Sequence, residues 1–366
     1  MTTIGGRLLL VENRPSGFDY MRLTLAIGVI AMHSVIVCYG LDAEMDFWKS
    51  AARPFIREIL PAFFALSGFL VAGSLERSKT ILMFLALRVI RIFPALSVEV
   101  LLSALIIGPI FTALSLSEYV SHPMFHKYFL NIVGDVQFHL PGVFASNPFP
   151  GVVNGQMWTV PYELYCYLTL AALACVRRKW AVPVAAVLIS VMYAVYKVKT
   201  IGFVPVEVRG PIPGVLLLVC FLLGVATYLY RDVLPFSRVG TAICLLASMA
   251  LLSVVPYGEY FAPWPIVYAT VGIGLLNPKR TVVVDGADYS YGLFLYGYPI
   301  QQALAATGPW AQVWYINILA TLVVGIVFAM FSWRVVEKPA LNLRPLLRRL
   351  EDRYLAYRKA VAVPAR

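Results

Sequence analysis

The chain has 366 residues, of which 60% are hydrophobic and only 13% are charged. This composition excludes an ordinary soluble domain and predicts a polytopic membrane protein whose spanning segments use nearly the whole length. The formal net charge is +11, but the basic residues lie in short clusters between apolar runs. The positive-inside rule therefore explains the charge better than nucleic-acid binding does.

The apolar runs predict an all-α integral membrane protein with about ten transmembrane helices. Three prolines near the seventh and eighth runs are also compatible with a re-entrant piece there. The first run follows an arginine-containing tail, and no small-residue cleavage site comes after the run, so we interpret it as a retained helix. In chain order, the predicted spans are centred on residues 23–39, 55–75, 94–116, 157–176, 182–196, 215–230, 241–255, 263–276, 289–305 and 313–331.

Basic residues are distributed unequally between the two alternating sets of connectors. Of the 30 lysines and arginines, 23 fall on one side and 7 on the other. The positive-inside rule then predicts that both termini are cytoplasmic. The resulting organisation is an N-terminal cytoplasmic tail (1–17), a transmembrane domain (18–341) and a basic cytoplasmic C-terminal tail (342–366).

The longest non-cytoplasmic connector covers about residues 117–156 and contains three of the four histidines. His122 and His126 have the spacing of helical metal ligands, but Pro123 lies between them and no third ligand is evident. A polar loop or an acceptor-binding role is therefore favoured over a metal site. The five cysteines lie within or beside apolar segments without CxxC spacing, and we interpret them as packing residues.

The first span carries two polar residues on one helical face. Arg22 and His33 are eleven residues apart, which is about three turns and roughly 16 Å of rise. Arg22 is expected at the cytoplasmic edge of the membrane, with Asp19 beside it. His33 is expected near mid-depth, where an ionisable side chain indicates a functional site.

Arg88 and Arg91 stand at the start of the third span, in LRVIRIFP. Their spacing puts them on one face, where two guanidinium groups can clamp a polyphosphate or contact lipid headgroups. Arg22 at the same membrane level favours an anionic ligand.

Two acids are predicted deeper in the membrane. Glu163, in QMWTVPYELYCYL, lies about 10 Å in from the non-cytoplasmic side. It can approach His33 and orient its imidazole as a general base, although a structural contact to a Tyr or Trp donor is the alternative. Glu99 lies eleven residues after Arg88 on the same helical face, so we expect it to line the same cavity.

The motif FFALSGF in the second span contains Ser67, a polar atom at depth, and Gly68, which allows close helix approach. A GxSxG elbow, a GxGxxG loop and a Walker A loop are all absent from the sequence. Their absence counts against a serine hydrolase and against a nucleotide-driven pump.

Taken in order, these motifs resemble the acyltransferase-3 family of integral-membrane O-acyltransferases, which modify carbohydrates and related acceptors. FDYMR followed by His33 resembles the first-helix signature, FFALSGF the second-helix motif, and Arg88 to Arg91 the RxxR motif. MWTVPYELYCYL resembles the family's Trp-to-Glu segment, and DYSYGLFLY and VVEKPAL resemble the closing motifs. The resemblance covers about residues 18–341. Many members carry a histidine after the tyrosine of the penultimate helix, where this chain has Gly297, so that histidine's role is not transferred.

The resemblance implies a carbohydrate O-acetyltransferase that takes an acyl group, most often acetyl, from acyl-CoA on the cytoplasmic side. Acetyl-CoA is then a co-substrate and no cofactor is bound; the acceptor is a carbohydrate or glycolipid hydroxyl. We expect a multi-pass protein of a plasma membrane, of the bacterial inner-membrane type, with membrane lipid as a partner and no nucleic acid. The expected residues are His33 and Glu163 for catalysis, Arg22, Arg88 and Arg91 for acyl-CoA, no metal ligands, and Asp19, Ser67, Glu99, Tyr165 and Tyr296 in support.

A proton-coupled permease is the competing interpretation, with His33, Glu99 and Glu163 as a proton relay. The sequence shows no internal repeat, and its arginine cluster is predicted at only one membrane surface. Both features favour the enzyme.

Overall fold

The computed structural model describes residues 2–11, 15–202, 212–253, 255, 257–281, 284 and 286–362. Parts of both predicted tails, residues 1, 12–14 and 363–366, lie outside the described residues. Over the described ranges the chain is helical, and its extended pairing is limited to isolated bridges such as that between Thr3 and Pro235.

Helices occur at all the positions where spans are predicted. Six described segments are long and apolar enough to cross a membrane: they contain α1 to α5 and α10. Four further apolar helices, α6 to α9, are shorter. The bounds are α1 Gly17–Lys49, α2 Arg53–Glu76, α3 Ile81–Leu102, α4 Val160–Val176, α5 Ala181–Ile201, α6 Gly214–Leu229, α7 Arg238–Ser253, α8 Pro263–Gly274, α9 Ser290–Ala305, α10 Trp314–Phe331 and a C-terminal helix α11 Arg344–Ala362.

The third helix begins earlier than the hydropathy predicts. Thr80 caps it, because its hydroxyl accepts a hydrogen bond from the Met83 N–H at 3.1 Å. The helix then continues through a π-helical segment, Ser103–Ile107, to Phe111. Arg88 and Arg91 consequently lie two to three turns inside α3 and not at its first turn.

α2 and α6 cross in backbone contact through two glycines. A Cβ on Gly68 would lie 2.0 Å from the carbonyl oxygen of Phe221, and a Cβ on Gly224 would lie 2.2 Å from that of Ala65. No side chain fits in these spaces. The close approach expected at Gly68 is therefore confirmed, and its partner is α6.

The connector between α3 and α4 is folded against the bundle. It contains three short helical segments, Leu116–Ser121, Pro123–Tyr128 and Phe129–Val133. Asn147 donates from Nδ2 to the backbone oxygen and Oε1 of Gln302 in α9, at 2.9 and 2.7 Å. Gln302 in turn donates to the carbonyl oxygens of Phe149 and Val152. His122 caps Pro123–Tyr128 by accepting from the Met124 N–H at 3.1 Å.

The chain after α10 turns back onto α3. A π-helical segment, Ser332–Glu337, follows α10 and directs the Glu337 side chain inward. α11 then docks on the start of α3, where Lys79 and Thr80 bond to Asp352 and Glu351, each at 2.7 Å. The basic C-terminal segment is thus an ordered helix over its described part.

Candidate active site

A cavity of about 180 Å³ lies among α1, α2, α3, α4, α6 and α9. Its charged lining residues are Arg22, Arg88, Arg91 and Glu163, so three cations face one anion. The rest of the wall is mainly apolar and aromatic. The structure therefore brings together the three arginines that the sequence places at one membrane level.

Asp288 joins two of these arginines. Its Oδ2 lies 2.6 Å from Nη2 of Arg91 and 3.2 Å from Nη1 of Arg22. Arg22 also pairs with Asp19, three residues earlier on α1, and Arg280 lies 3.6 Å from the same carboxylate. The carboxylate of Asp288 thereby links α1 and α3 to the segment that leads into α9.

The electrostatics of Asp288 follow from this position in the connector before α9. Burial works against its charged form, but the positive charges of Arg22 and Arg91 and hydrogen bonds from Ser290 outweigh burial. The pKa of Asp288 is consequently lowered to about 2. Asp288 is therefore an anion at any physiological pH.

Glu337 extends the network from Arg91 towards α10. It accepts from Nη1 of Arg91 at 2.8 Å and from the Ser332 hydroxyl at 3.1 Å, and its side chain is only 1% exposed. Tyr296, one of the predicted supporting residues, donates to Ser332 at 3.3 Å. Tyr296 thus lies behind the arginine network and is not part of the cavity wall.

Arg88 is bonded differently from Arg91. Its Nη2 donates to the Ser74 hydroxyl at 3.0 Å, and its guanidinium lies over the rings of Phe84 and Tyr167. Among the described residues it makes no salt bridge, and its Nε has no hydrogen-bond partner. Arg88 is therefore the cavity arginine whose charge is least neutralised by the protein.

Glu163 also faces the cavity, and its partner is Tyr167, one turn further along α4. The hydroxyl of Tyr167 donates to Oε1 of Glu163. The structure does not bring Glu163 into hydrogen-bond contact with His33, so the direct pair considered from the sequence is not formed. Ser67 lines the same cavity, whereas Tyr165 is 54% exposed on the outer side of α4.

His33 lies beyond the cavity wall. Its ring meets that of Tyr298 edge-on, with centroids 5.1 Å apart, and its Nδ1 makes no hydrogen bond of ordinary geometry within the described ranges. Phe294, one turn before Tyr298 on α9, does line the cavity. Its ring meets that of Phe63 edge-on, with centroids 6.2 Å apart. Phe294 is therefore the cavity-lining residue of α9 that is closest in sequence to Tyr298, the ring neighbour of His33.

Glu99 is not in the cavity, contrary to its expected place on the face of Arg88. It accepts from the Ser103 hydroxyl at 2.8 Å and from Nδ2 of Asn154 at 2.9 Å. Asn154 belongs to the folded connector, which covers this part of α3. Residue spacing along α3 predicts a shared helical face but contains no information on a loop that packs into the bundle and bonds to Glu99.

The sequence interpretation missed Asp288 and Glu337 as site residues. Both lie in the motifs DYSYGLFLY and VVEKPAL that mark the ends of the family pattern, and both are acids beside short connectors at the arginine level. An acid at the same predicted depth as a buried arginine is the signal that could have identified them.

A family model described as an acyltransferase domain matches residues 16–337. The chain belongs to the acyltransferase-3 family. The matched range includes every cavity arginine, Asp288 and Glu337. Membership of this family, together with the apolar helices, makes the chain a membrane acyltransferase.

Two relatives align with this chain over nearly their whole lengths. An O-acetyl transferase of Shigella phage Sf6 is 28% identical over 334 residues, which cover 88% of this chain and 94% of the phage protein. Nodulation protein 10 of Rhizobium leguminosarum bv. viciae is 30% identical over 367 residues, covering 91% of this chain and 95% of that protein. No solved structure shows significant similarity to the chain. The phage relative supports O-acyl transfer within this family.

Proposed function

We propose that this protein transfers an acyl group, in the first instance acetyl, from acyl-CoA to a hydroxyl of a carbohydrate or glycolipid. The observation that carries the proposal is the cavity, which has three arginines at one end and an apolar, aromatic wall. Guanidinium groups bind phosphate oxygens in a bidentate manner. An apolar wall suits the uncharged pantetheine arm that connects the phosphates of CoA to the thioester.

The proposed arrangement has about ten spans with both termini in the cytoplasm, as the basic connectors favour. The arginine end of the cavity then faces the cytoplasm, where acyl-CoA is made. We propose a bacterial inner membrane as the location, with residues 18–341 as the transmembrane domain and 1–17 and 342–366 as cytoplasmic tails.

The three arginines are proposed to have different roles in binding the acyl-CoA donor. Arg88 and Arg22 contact the phosphates of CoA, and the absence of a described salt-bridge partner for Arg88 supports its part. Arg91 has both Nη atoms bonded to carboxylates, and we propose that it positions the other two. Glu163, hydrogen-bonded to Tyr167 on the cavity wall, is proposed to assist catalysis.

His33 is the proposed catalytic residue, and it can promote acyl transfer by either of two routes. As a general base, it takes the proton of the acceptor hydroxyl while the oxygen attacks the thioester carbonyl, and the leaving CoA thiolate then receives that proton. As a nucleophile, its nitrogen bonds to the acetyl carbonyl carbon while the C–S bond breaks and the CoA thiolate leaves; the acceptor oxygen then attacks the acetyl group, the N–C bond breaks, and the hydroxyl proton passes to the CoA thiolate. Either route yields an acetyl ester and CoA–SH. Each requires the thioester to pass Phe63 and Phe294.

The test is transfer of radiolabelled acetyl from acetyl-CoA to envelope glycans extracted from the expressing cells. His33→Gln should abolish the transfer, because glutamine neither accepts the proton nor carries the acyl group at neutral pH. His126→Gln, at an exposed histidine of the connector, is the control and should retain wild-type activity. Retained transfer by His33→Gln refutes the role of His33, and proton-coupled uptake without acetyl turnover favours the permease.

The two routes separate in a reaction without acceptor. Acid quenching followed by mass spectrometry of the His33 peptide should reveal an added acetyl group if the histidine carries it. An unmodified peptide, under conditions where transfer is rapid, favours the general-base route.

A further inference from the structure

Glu99 of α3 and Asn154 of the folded connector form a buried polar pair against α9. Glu99 is 1% exposed and Asn154 is 0% exposed. Nδ2 of Asn154 donates to Oε1 of Glu99 at 2.9 Å and to the carbonyl oxygen of Leu295 in α9 at 3.1 Å. Oε2 of Glu99 and Oδ1 of Asn154 have no partner among the described residues. Two strong acceptors are thus buried and unused.

Gln156, two residues after Asn154, is a third side chain with unpaired polar atoms. It is 2% exposed, and neither Oε1 nor Nε2 has a hydrogen-bond partner in the described part of the chain. It lies in the 3₁₀ segment Gly155–Thr159, in which residues three apart eclipse one another. Thr159, three residues on, lines the arginine cavity. Gln156 therefore lies on the same side of this segment as the cavity, one turn further from the arginines.

Tyr298 connects these side chains to His33. A Cβ on Gly155 would lie 2.8 Å from Cζ of Tyr298, so the backbone between Asn154 and Gln156 touches this ring. The same Tyr298 ring also contacts the imidazole of His33, and the centroids of these two rings are 5.1 Å apart. Asn154 and Gln156 thus flank a residue that packs against the same tyrosine as the proposed catalytic histidine, and Glu99 is hydrogen-bonded to Asn154.

Buried polar atoms without partners destabilise a folded protein unless another molecule satisfies them. This group, the Glu99 cluster (Glu99, Asn154 and Gln156), offers three acceptor oxygens and one amide donor. A ligand that presents several adjacent hydroxyl groups matches that set, because each O–H can donate to one of the oxygens. A thioester or a hydrocarbon chain does not match it.

We propose that the Glu99 cluster is the hydroxyl-binding subsite for the acceptor, a polyhydroxylated molecule such as a sugar. The inference rests on the proposed function, and gives the acceptor a binding site outside the arginine cavity. The folded connector, which supplies Asn154 and Gln156, then contributes directly to acceptor recognition.

Gln156→Met gives the sharpest test, because methionine has a similar length and no hydrogen bond within the described chain is lost. If Gln156 serves only structure, the substitution has no reason to affect acceptor use. If it binds hydroxyl groups, KM for the extracted envelope glycans should rise about tenfold while KM for acetyl-CoA stays unchanged. The melting temperature should be equal to or above that of the wild type, since an unsatisfied buried amide is removed.

Glu99→Gln is the second variant and has a matched control. Glutamine keeps the shape and can still accept from Ser103, but its amide replaces one acceptor oxygen by a donor. Glu58 is also a buried acid that accepts from a serine, Ser248 at 2.7 Å, and also has an unpaired Oε2 among the described residues, but it faces α7. Glu99→Gln should raise KM for the glycan, and Glu58→Gln should not.

The outcomes distinguish this inference from the proposed function. Wild-type transfer with unchanged glycan KM in Gln156→Met and Glu99→Gln overturns the inference alone, and indicates that the unpaired atoms bind only water. An equal rise in glycan KM for Glu58→Gln also overturns it, because the effect is then not specific to this cluster. Absence of any acetyl transfer by the wild-type protein refutes the proposed function and the inference together.

Discussion

Arg91 and Arg88 are three residues apart on α3, yet their removal should affect stability very differently. Arg91 holds Glu337 at 2.8 Å and Asp288 at 2.6 Å, and the Glu337 side chain is only 1% exposed. Arg91→Ala leaves that carboxylate buried without its cation, a loss that typically costs about 3–5 kcal/mol. The structure therefore predicts a severe loss of stability from this single change.

Arg88→Ala should cost much less. It removes one hydrogen bond to a serine hydroxyl and the stacking on Phe84 and Tyr167, and no carboxylate loses a salt bridge within the described ranges. These contacts together contribute roughly 1–2 kcal/mol. The same change should raise KM for acetyl-CoA about tenfold, because a charge-assisted contact to phosphate is lost.

The assay compares unfolding free energies of the purified variants in one detergent, with acetyl-CoA kinetics on the same samples. The double variant Arg91→Met with Glu337→Met tests the origin of the loss. It should be more stable than Arg91→Ala, since no buried charge remains at Glu337. Equal stability losses for Arg88→Ala and Arg91→Ala, or no recovery in the double variant, would refute the reasoning.

Three further predictions follow from the packing and the charges. Asp288 has a lowered pKa of about 2 against an ordinary 3.8, so its stabilisation is present above about pH 4 and is lost as pH falls through 2. In pH-dependent unfolding, wild type should exceed Asp288→Asn by about 2 kcal/mol near neutral pH and converge with it at pH 2; a constant difference contradicts this. Gly224→Val should prevent a folded monomer in detergent chromatography, because the Ala65 carbonyl occupies the space of its side chain; wild-type elution and melting would contradict the packing. Phe294→Ala should widen the proposed path of the thioester towards His33 and increase hydrolysis of acetyl-CoA without acceptor, whereas Phe328→Ala should not; equal hydrolysis in both variants would contradict the proposed path.

The positions of the helices were predictable because they depend on local properties. A run of apolar residues long enough to span the membrane must form a helix, since its backbone groups have no water to bond with. Helices therefore occur at every predicted span, and Thr80 accounts for the early start of α3 through a cap rather than through hydropathy. The common membrane level of Arg22, Arg88 and Arg91 follows from the same local counting.

The pairing of buried charges was not predictable in that way. Glu163 was considered as a partner of His33, but it bonds to Tyr167 in its own helix. Glu99 was expected on the cavity wall, but the connector supplies Asn154 to cover it. In both cases spacing along the helix suggested proximity, while the rotation of each helix and the folding of the loop decided the contact.

The sequence by itself therefore determined the class of the protein, its helical segments, the order of its family motifs and the level of its arginines. These are properties of composition and of spacing along one chain segment. Only the tertiary structure decided that Arg91 is neutralised by Asp288 and Glu337 while Arg88 makes no salt bridge among the described residues. That distinction depends on residues up to 246 positions apart and on the π-helical segment that turns Glu337 inward. Hydropathy and residue spacing contain no information on such long-range contacts or on the π-helical segment.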